Sequence, residues 1–331
     1  MGRTRRLLQF LPQTETGDRL WSILYHVAKT GRPPRLTRPR SYTDHNFARR
    51  LSEEMNSPLR RLISDKHCMK RFVAERAGVQ YVVPTLAVLR TPEEIREFEF
   101  PDECVIKPTH MSGQIIVRRS GSEPVDRQRL CRWLKIDYSK RLRERNYRDL
   151  CGRVIVEPFV FGAAVSPSDF KVHCFGGEPK FIGVDLNRFQ VHATRLYTPS
   201  WLPLNMRYGR LALGSTVPRP PNLAALLDVC RKVAGGFDYI RADVYVHGTS
   251  IKIGELTNLP AGGLCIPVYR PMAADLAAGE FFRDPSADPA CVFRDLVVDE
   301  SGLCPEHSSP RTVASKHPER SGYVLAGAPQ T

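Results

Sequence analysis

Two acidic residues on neighbouring predicted strands are the first feature of the sequence that could carry out chemistry. Apolar and polar residues alternate on both sides of residues 248–250, Gly-Thr-Ser, which predicts a β-hairpin. If these three residues form the loop, Asp243 lies opposite Glu255, and Arg241 lies opposite Thr257. Facing carboxylates repel each other unless a cation lies between them, and such oxygen ligands suit Mg²⁺. The alternative is an ordinary hairpin with two exposed acids.

Further polar residues stand on three other predicted strands. Lys107 ends an apolar strand and precedes a loop of small residues that includes Gly113; this pairing can hold nucleotide phosphates, although a surface lysine before a turn has the same pattern. Glu157 lies in an apolar strand, where a carboxylate is costly without a partner. Asp169 and Lys171 alternate onto one face of the first strand of a second predicted hairpin, either as site residues or as an exposed pair.

The order of these features along the chain resembles the ATP-grasp superfamily, and within it the TupA-like branch, named for teichuronopeptide biosynthesis. The similarity extends over roughly residues 40–280. It is carried by six short segments, which are residues 64–66, 105–113, 155–159, 168–177, 241–245 and 254–257. Met111 stands where the lid loop of this pattern would have glycine, and Thr257 stands where the superfamily usually has asparagine.

The resemblance implies a nucleotide site between two subdomains. Lys107 would bind the phosphates under the lid loop, Glu157 and its neighbours would contact adenine at the hinge, and Asp169 with Lys171 would lie beside the ribose and phosphates. The implied nucleotide-binding residues are Lys107, Ser112, Gly113, Glu157, Phe159, Asp169 and Lys171.

The resemblance also implies a magnesium site and a set of catalytic cations. Asp243 and Glu255 would hold Mg²⁺, and either Thr257 or Asn258 would complete the site. Arg241 would face the reacting carboxylate or its phosphate, and Arg188 would point at the γ-phosphate and the acyl phosphate. The implied metal ligands are Asp243, Glu255, Thr257 and Asn258, and the implied catalytic residues are Arg188, Arg241 and Lys171.

The implied fold is an α+β ATP-grasp fold, with a small lid subdomain and a larger antiparallel β/α subdomain on either side of ATP. We expect a basic helical N-terminal region and arm (1–62), the first part of the ATP-grasp region (63–100), the lid subdomain (101–158), the larger subdomain with the metal site (159–282) and a disordered tail (283–331). The tail is predicted to be disordered because its sequence lacks a periodic pattern of apolar residues.

Composition and charge exclude some functions and leave others open. The 331 residues are 42% hydrophobic and carry a net charge of +14, and no apolar run approaches the roughly 20 residues of a membrane span. We expect a cytoplasmic protein, because no signal peptide is evident. The nine cysteines are scattered and lack zinc-site spacing, which indicates free thiols in a reducing compartment.

The positive charge is concentrated in residues 1–50 and 126–153. Within the second stretch we predict a basic helix whose arginines, including Arg141, Arg143 and Arg145, recruit an anionic substrate. A solvated basic surface is the alternative.

The function that the resemblance implies is ATP-dependent ligation of a carboxylate to an amine through an acyl phosphate. The substrates would be small, sugar-linked or peptide-linked molecules of a glycan, peptide or secondary-metabolite pathway. A kinase that phosphorylates a hydroxyl group is the nearest alternative. A nucleic-acid-binding protein without catalysis is the second, although common RNA-binding motifs and a helix–turn–helix pattern are missing.

Overall fold

The computed structural model describes residues 8–162, 168–186, 192–264 and 267–298, which form two mainly antiparallel β-sheets covered by helices. The α-helices are α1 (Glu15–Thr30), α2 (Tyr42–Arg50), α3 (Pro58–Ser64), α4 (Cys68–Arg76), α5 (Pro92–Glu97), α6 (Arg127–Leu134), α7 (Ser139–Leu142), α8 (Leu223–Ala234), α9 (Met272–Arg283) and α10 (Pro289–Val292). Short 3₁₀ helices span Leu8–Phe10, Glu53–Asn56, Val79–Tyr81, Arg145–Tyr147, Pro260–Gly263 and Arg294–Leu296.

The strands are β1 (Ala87–Leu89), β2 (Cys104–Pro108), β3 (Ile116–Arg118), β4 (Val154–Glu157), β5 (Ser168–Phe175), β6 (Glu178–Leu186), β7 (Ala193–Tyr197), β8 (Pro203–Leu204), β9 (Arg207–Tyr208), β10 (Ala212–Leu213), β11 (Tyr239–His247), β12 (Ser250–Thr257) and β13 (Tyr269–Arg270). The larger sheet has the order β10-β7-β6-β5-β11-β12, with β8 paired to β7, and the smaller sheet has the order β1-β4-β2-β3. Strands β9 and β13 form a separate pair.

The predicted hairpin of residues 169–185 is confirmed. Strands β5 and β6 pair antiparallel across Gly176 and Gly177, which both have positive φ, at 55° and 87°. Glycine is favoured in this turn because L side chains rarely adopt such a backbone conformation. Helix α8 packs on β5, β6 and β11, and its buried Leu226 and Cys230 join the core of the larger sheet.

The hairpin of β11 and β12 has the predicted pairing but not the predicted loop. Asp243 lies opposite Glu255, and Arg241 lies opposite Thr257. The loop has two residues, because His247 pairs with Ser250, and a β-bulge next to Asp243 shifts the register by one residue. The loop is one residue shorter than predicted, and the bulge adds one unpaired residue, Gly254, to β12. The two changes compensate, so both carboxylates still lie opposite each other.

The smaller sheet begins earlier in the chain than the expected lid boundary at residue 101. Strand β1, residues 87–89, pairs antiparallel with β4, and Leu86 donates a further backbone hydrogen bond to Val156 at 2.8 Å. The apolar residues of β2 and β4 pack with α5 and α6, where Ile95 and Leu130 are fully buried. The sheet that carries Lys107 and Glu157 thus includes the end of the preceding segment.

The expected tail boundary at residue 283 is also too early. Beyond α9, Phe293 is fully buried in an aromatic cluster with Phe181 and Phe281. Val298 donates a backbone hydrogen bond to Pro203 at 3.0 Å. Residues 284–298 therefore pack on the larger sheet, because a few apolar side chains without helical periodicity suffice to dock them. The rest of the predicted tail, residues 299–331, lies outside the described residues.

The basic stretch of residues 126–153 is not one long helix with a free cationic face. It is divided into α6, α7 and the 3₁₀ turn at Arg145–Tyr147. Arg143 is buried and pairs with Asp18 of α1 at 2.6 Å, and Arg145 is buried and pairs with Glu15 and Glu53. These two arginines tie the stretch to the N-terminal helices, so the prediction that they recruit a substrate is wrong. None of the described helices is long and apolar enough to cross a membrane.

Candidate active site

One face of the larger sheet carries a row of charged side chains. Asp243 of β11 pairs in register with Lys171 of β5, and Asp169 of β5 pairs with Asp185 of β6. Because side chains on a strand alternate between faces, Arg241 lies on the same face as Asp243. Four of the predicted site residues therefore come together on neighbouring strands, and Asp185 joins them.

Lys171 is the centre of this row. Its Nζ atom lies 3.1 Å from Asp169, 3.2 Å from Asp185 and 3.5 Å from Asp243. Burial lowers the pKa of Lys171, but Asp243 and Asp169 raise it by more, so the net shift is upward. The lysine therefore stays protonated and holds three carboxylates together. The sequence analysis did not identify Asp185 as a site residue. The register of the predicted hairpin, which puts Asp185 opposite Asp169, is the signal that could have identified it.

Asp243 is held by both neighbouring cations. Arg241 donates from Nε to Oδ1 at 2.6 Å and from Nη2 to Oδ2 at 2.7 Å, and Nη2 also donates to Thr257 Oγ1 at 3.1 Å. Burial raises the pKa of Asp243, but Arg241 and Lys171 lower it by more, so the group is ionised. Such a bidentate pair fixes both side chains in one orientation.

Glu255 faces the same region from β12 and has a different partner. Its Oε1 atom lies 3.3 Å from Lys66 Nζ, and the same lysine donates to the carbonyl oxygen of Met111 at 2.8 Å. Lys66 thus connects strand β12 to the loop after β2. It belongs to one of the segments that carry the resemblance, but the sequence gave no reason to place it at the site.

The smaller sheet contributes a second charged cluster. Glu157 at the end of β4 is 3% exposed and lies between two lysines, with Lys107 Nζ 2.5 Å from Oε2 and Lys70 Nζ 2.6 Å from Oε1. Burial raises the pKa of Glu157, but Lys107 and Lys70 lower it by more. Burial lowers the pKa of Lys70. The partner that the buried glutamate requires is therefore a pair of lysines, of which the sequence identified Lys107 alone.

In the loop after β2, one residue is buried in the core and the next two are exposed to solvent to different degrees. Met111 is 2% exposed and packs in the core of the smaller sheet, which explains why an apolar residue stands at this position of the loop. Ser112 is partly exposed, and Gly113 is exposed with a φ of 76°. A Cβ atom on Gly113 would meet no atom within 4 Å. The space beside this loop is therefore open, as a phosphate-binding role requires.

Phe159, Asn258 and Arg188 are the remaining predicted site residues. Phe159 is half-buried just beyond β4. Asn258 is 2% exposed, its Oδ1 accepts from Arg60, and its Nδ2 donates to the Arg60 carbonyl and to Ser64 Oγ. Its side chain therefore supports the fold rather than facing Asp243. Thr257, which contacts Arg241, is thus the better placed of the two candidates. Arg188 lies outside the described residues.

The carboxylate pair on the hairpin fits a hard divalent cation. Asp243 and Glu255 lie directly opposite each other, and oxygen donors of this kind suit Mg²⁺. Within the described part of the chain, no cluster of three or more His, Cys, Asp or Glu residues could hold a metal. A metal at this place would therefore use one or two protein carboxylates together with substrate oxygens, as Mg²⁺ commonly does.

A cavity of 750 Å³ lies between α4 and the segment of residues 79–85. Lys70 lines it, but none of the predicted nucleotide-binding residues does. The residues of the charged row on the larger sheet do not line this cavity. We therefore assign the candidate site from the side chains and not from the cavity.

Two mainly antiparallel sheets, with Lys107 on the smaller and Asp243 and Glu255 on the larger, are the arrangement expected of the ATP-grasp fold. A family model described as TupA-like ATP-grasp matches residues 46–283. The chain therefore belongs to the TupA-like ATP-grasp family. No curated protein matches the sequence.

Several solved structures resemble parts of the chain. The ATP-grasp ligase PsnB in complex with its minimal precursor is 14% identical, with 61% of this chain and 54% of that chain covered and a TM-score of 0.34. The D-alanine–D-alanine ligase of Helicobacter pylori is 14% identical, with 66% of this chain and 60% of that chain covered and a TM-score of 0.36. The L-amino acid ligase of Bacillus licheniformis is 10% identical, with 69% of this chain and 52% of that chain covered and a TM-score of 0.39. The chain thus spans little more than half the length of these proteins.

Proposed function

We propose that the protein is an ATP-dependent ligase that joins a carboxylate to an amine through an acyl phosphate. The observation that carries the proposal is a pair of charged sets that Lys66 connects. One set is Lys107 and Glu157 of the smaller sheet with Lys70 of α4, and the other is the row around Asp243 on the larger sheet. Lys66 contacts both Glu255 and the loop after β2. The first set can hold the phosphates of ATP. The second can hold the reacting groups, since Arg241 offers a fixed guanidinium for a carboxylate.

The proposed reaction has two steps. A substrate carboxylate oxygen attacks the γ-phosphorus, the bond from that phosphorus to the bridging oxygen breaks, and ADP leaves. The amine then attacks the acyl carbon, and phosphate leaves with the electron pair of the broken C–O bond. Lys107 and Arg241 offset negative charge during these transfers. Mg²⁺ bound by Asp243 and Glu255 would supply further charge compensation between the phosphate oxygens.

The test follows the oxygen of the substrate carboxylate. Hydroxylamine traps acyl phosphates as hydroxamates, so a panel of amino acids and sugar acids with ATP and hydroxylamine identifies the carboxylate. With that carboxylate labelled with ¹⁸O, we expect one labelled oxygen to appear in inorganic phosphate at each turnover. A protein that phosphorylates a hydroxyl group would form a phosphate ester and move no label. That result, or a panel without any hydroxamate, would contradict the proposed ligase.

Lys70 provides a separate test of nucleotide binding. Because Lys70 and Lys107 share Glu157, the Lys70→Ala substitution removes one phosphate-binding cation and leaves Lys107 to pair with the glutamate. We expect the Kd for ATP to rise about tenfold or more, in line with the loss of one charge-assisted contact. Titration calorimetry measures it directly.

Arg71→Ala is the matched control for Lys70→Ala. Arg71 is the next residue of α4, and its side chain is 77% exposed and pairs only with Glu75 among the described residues. Its removal should leave the Kd for ATP unchanged. Equal affinities in the two variants would place Lys70 outside the nucleotide site.

A further inference from the structure

The outward face of helix α1 is apolar, although the helix lies at the surface of the protein. Leu20, Leu24 and Val27 share this face at helical spacing, and their exposed fractions are 43%, 38% and 37%. Ile23 is partly exposed beside them, and Phe10, which precedes the helix, is 91% exposed. A surface helix usually turns polar residues to the solvent, so a row of aliphatic side chains at these positions marks an interaction surface.

The opposite face of α1 is fixed by the fold. Trp21 and Ser22 are buried, and Arg50 of α2 donates to Ser22 Oγ at 3.1 Å. Asp18 is also buried and pairs with Arg143 at 2.6 Å. These contacts set the rotation of the helix about its axis. The apolar face therefore stays turned to the outside and cannot be buried by a roll of the helix.

The same part of the chain carries positive charge without compensating acids. Residues 19–40 contain six lysines and arginines and no aspartate or glutamate; the six are Arg19, Lys29, Arg32, Arg35, Arg38 and Arg40. All six are exposed, and none of them forms an ion pair with another residue that the structure describes. Four of the six lie in the basic arm, residues 31–40, which follows α1 directly.

The basic arm holds its arginines in the solvent. It contains neither helix nor strand, and its partly buried residues are Pro34, Leu36 and Pro39. Its three prolines limit the backbone conformations that it can adopt. The apolar face of α1 is thus followed by a row of cations that no described residue neutralises.

We propose that α1 and the basic arm bind the surface of a bilayer that contains anionic lipids. Leu20, Leu24 and Val27 insert at the boundary between head groups and acyl chains, and the arginines of the arm contact the head groups. A bilayer surface offers apolar chains and negative charge side by side, which is the combination that this part of the protein complements. The inference does not depend on the proposed ligase function.

A nucleic acid fits the same surface less well. Its phosphates would attract the arginines, and single strands would stack on aromatic side chains. The face between the cations is aliphatic, however, and neither phosphates nor stacked bases gain from contact with leucine and valine side chains. The aliphatic row therefore favours lipid as the partner and provides the means to test it.

The test measures sedimentation of the full-length protein with phosphatidylcholine vesicles that contain or lack phosphatidylglycerol. We expect binding to the anionic vesicles alone, weakened by salt. Combining Leu20→Gln, Leu24→Gln and Val27→Gln should weaken binding at least about tenfold, because the inserted apolar surface is lost. Combining Arg32→Gln, Arg35→Gln and Arg38→Gln should weaken it about 100-fold, since each cation near an anionic surface contributes a factor of roughly five.

Two control variants match these changes elsewhere on the surface. The charge control replaces three arginines that are each at least 60% exposed with glutamine, namely Arg71, Arg96 and Arg294. The apolar control replaces three hydrophobic residues of similar exposure with glutamine, namely Leu202, Met272 and Leu276. Both controls should bind the anionic vesicles as the wild type does, and melting curves verify that all four variants fold.

Three results would overturn the proposal. The first is a wild type that does not bind anionic vesicles. The second is an equal loss in a test variant and its control, which would show that overall charge or hydrophobicity governs binding. The third is wild-type affinity in the apolar variant together with tighter binding to a DNA duplex than to the vesicles, which would identify a nucleic-acid surface instead.

Discussion

Glu255→Gln is expected to abolish ATP turnover while leaving the fold intact. The substitution keeps the shape of the side chain and removes the negative charge that faces Asp243 across the hairpin. Without that charge the proposed metal site loses one of its two carboxylates, and we expect kcat to fall by about 10³-fold or more. Steady-state release of ADP measures turnover, and circular dichroism with a melting curve measures the fold.

The fold should tolerate this change because Glu255 is partly exposed and its only described ion pair is with Lys66, which keeps its bond to Met111. Glu178→Gln is a suitable control, since Glu178 also lies on the larger sheet but its side chain is 53% exposed beside Arg231. It should retain full turnover. Full turnover in the Glu255 variant would remove the hairpin from the active site.

The largest expected loss of stability comes from Arg60→Ala. Arg60 is 1% exposed and donates to the carbonyl oxygen of Tyr239 at 2.8 Å and to Asn258 Oδ1 at 3.1 Å, and it pairs with Asp238 and Glu54. Its removal leaves the buried Asn258 Oδ1 without this donor, and the Tyr239 carbonyl keeps only Arg49 Nη2 at 3.2 Å. We expect the free energy of unfolding to fall by about 2–3 kcal/mol, the range for a buried acceptor that loses its donor.

The neighbouring Arg61 supplies the control for this prediction. Its side chain is 32% exposed and pairs at 3.2 Å with Asp149, which is exposed. Pairs of this kind contribute little, so Arg61→Ala should change the free energy of unfolding by at most about 1 kcal/mol. Urea unfolding curves of the two variants under the same conditions give the comparison. Similar small losses in both would show that the buried network around Arg60 does not hold the hairpin.

The sequence predicted well the parts of the site that lie on single strands and hairpins. The alternation of Arg241 and Asp243, and their pairing with β12, depend only on the two-residue period of a strand and the length of a turn. Even in this hairpin the register shifts by one residue at a β-bulge, which leaves no clear signal in the sequence.

Contacts between distant segments could not be predicted in the same way. Lys70 reaches Glu157 across 87 positions of the chain, and Asn258 is held by Arg60 of α3. Arg143 looked like a surface cation because its partner, Asp18, lies 125 positions earlier. Charge patterns along the sequence show neither which cations are buried nor which acids lie beside them. The family resemblance carries such distant information, and it is the reason why Lys107 and Asp243, on different sheets, were predicted to share one site.

The two charged clusters have a further consequence for the way in which a nucleotide enters. The cations are Lys66, Lys70, Lys107, Lys171 and Arg241, and each lies within ion-pair distance of a carboxylate in the set Glu157, Asp169, Asp185, Asp243 and Glu255. Five positive charges thus meet five negative ones, so these ten side chains together are close to neutral despite the chain's net charge of +14. We therefore expect nucleotide binding to be an exchange of ion partners, in which the phosphates would displace carboxylates from the lysines and the released carboxylates could turn to a metal ion.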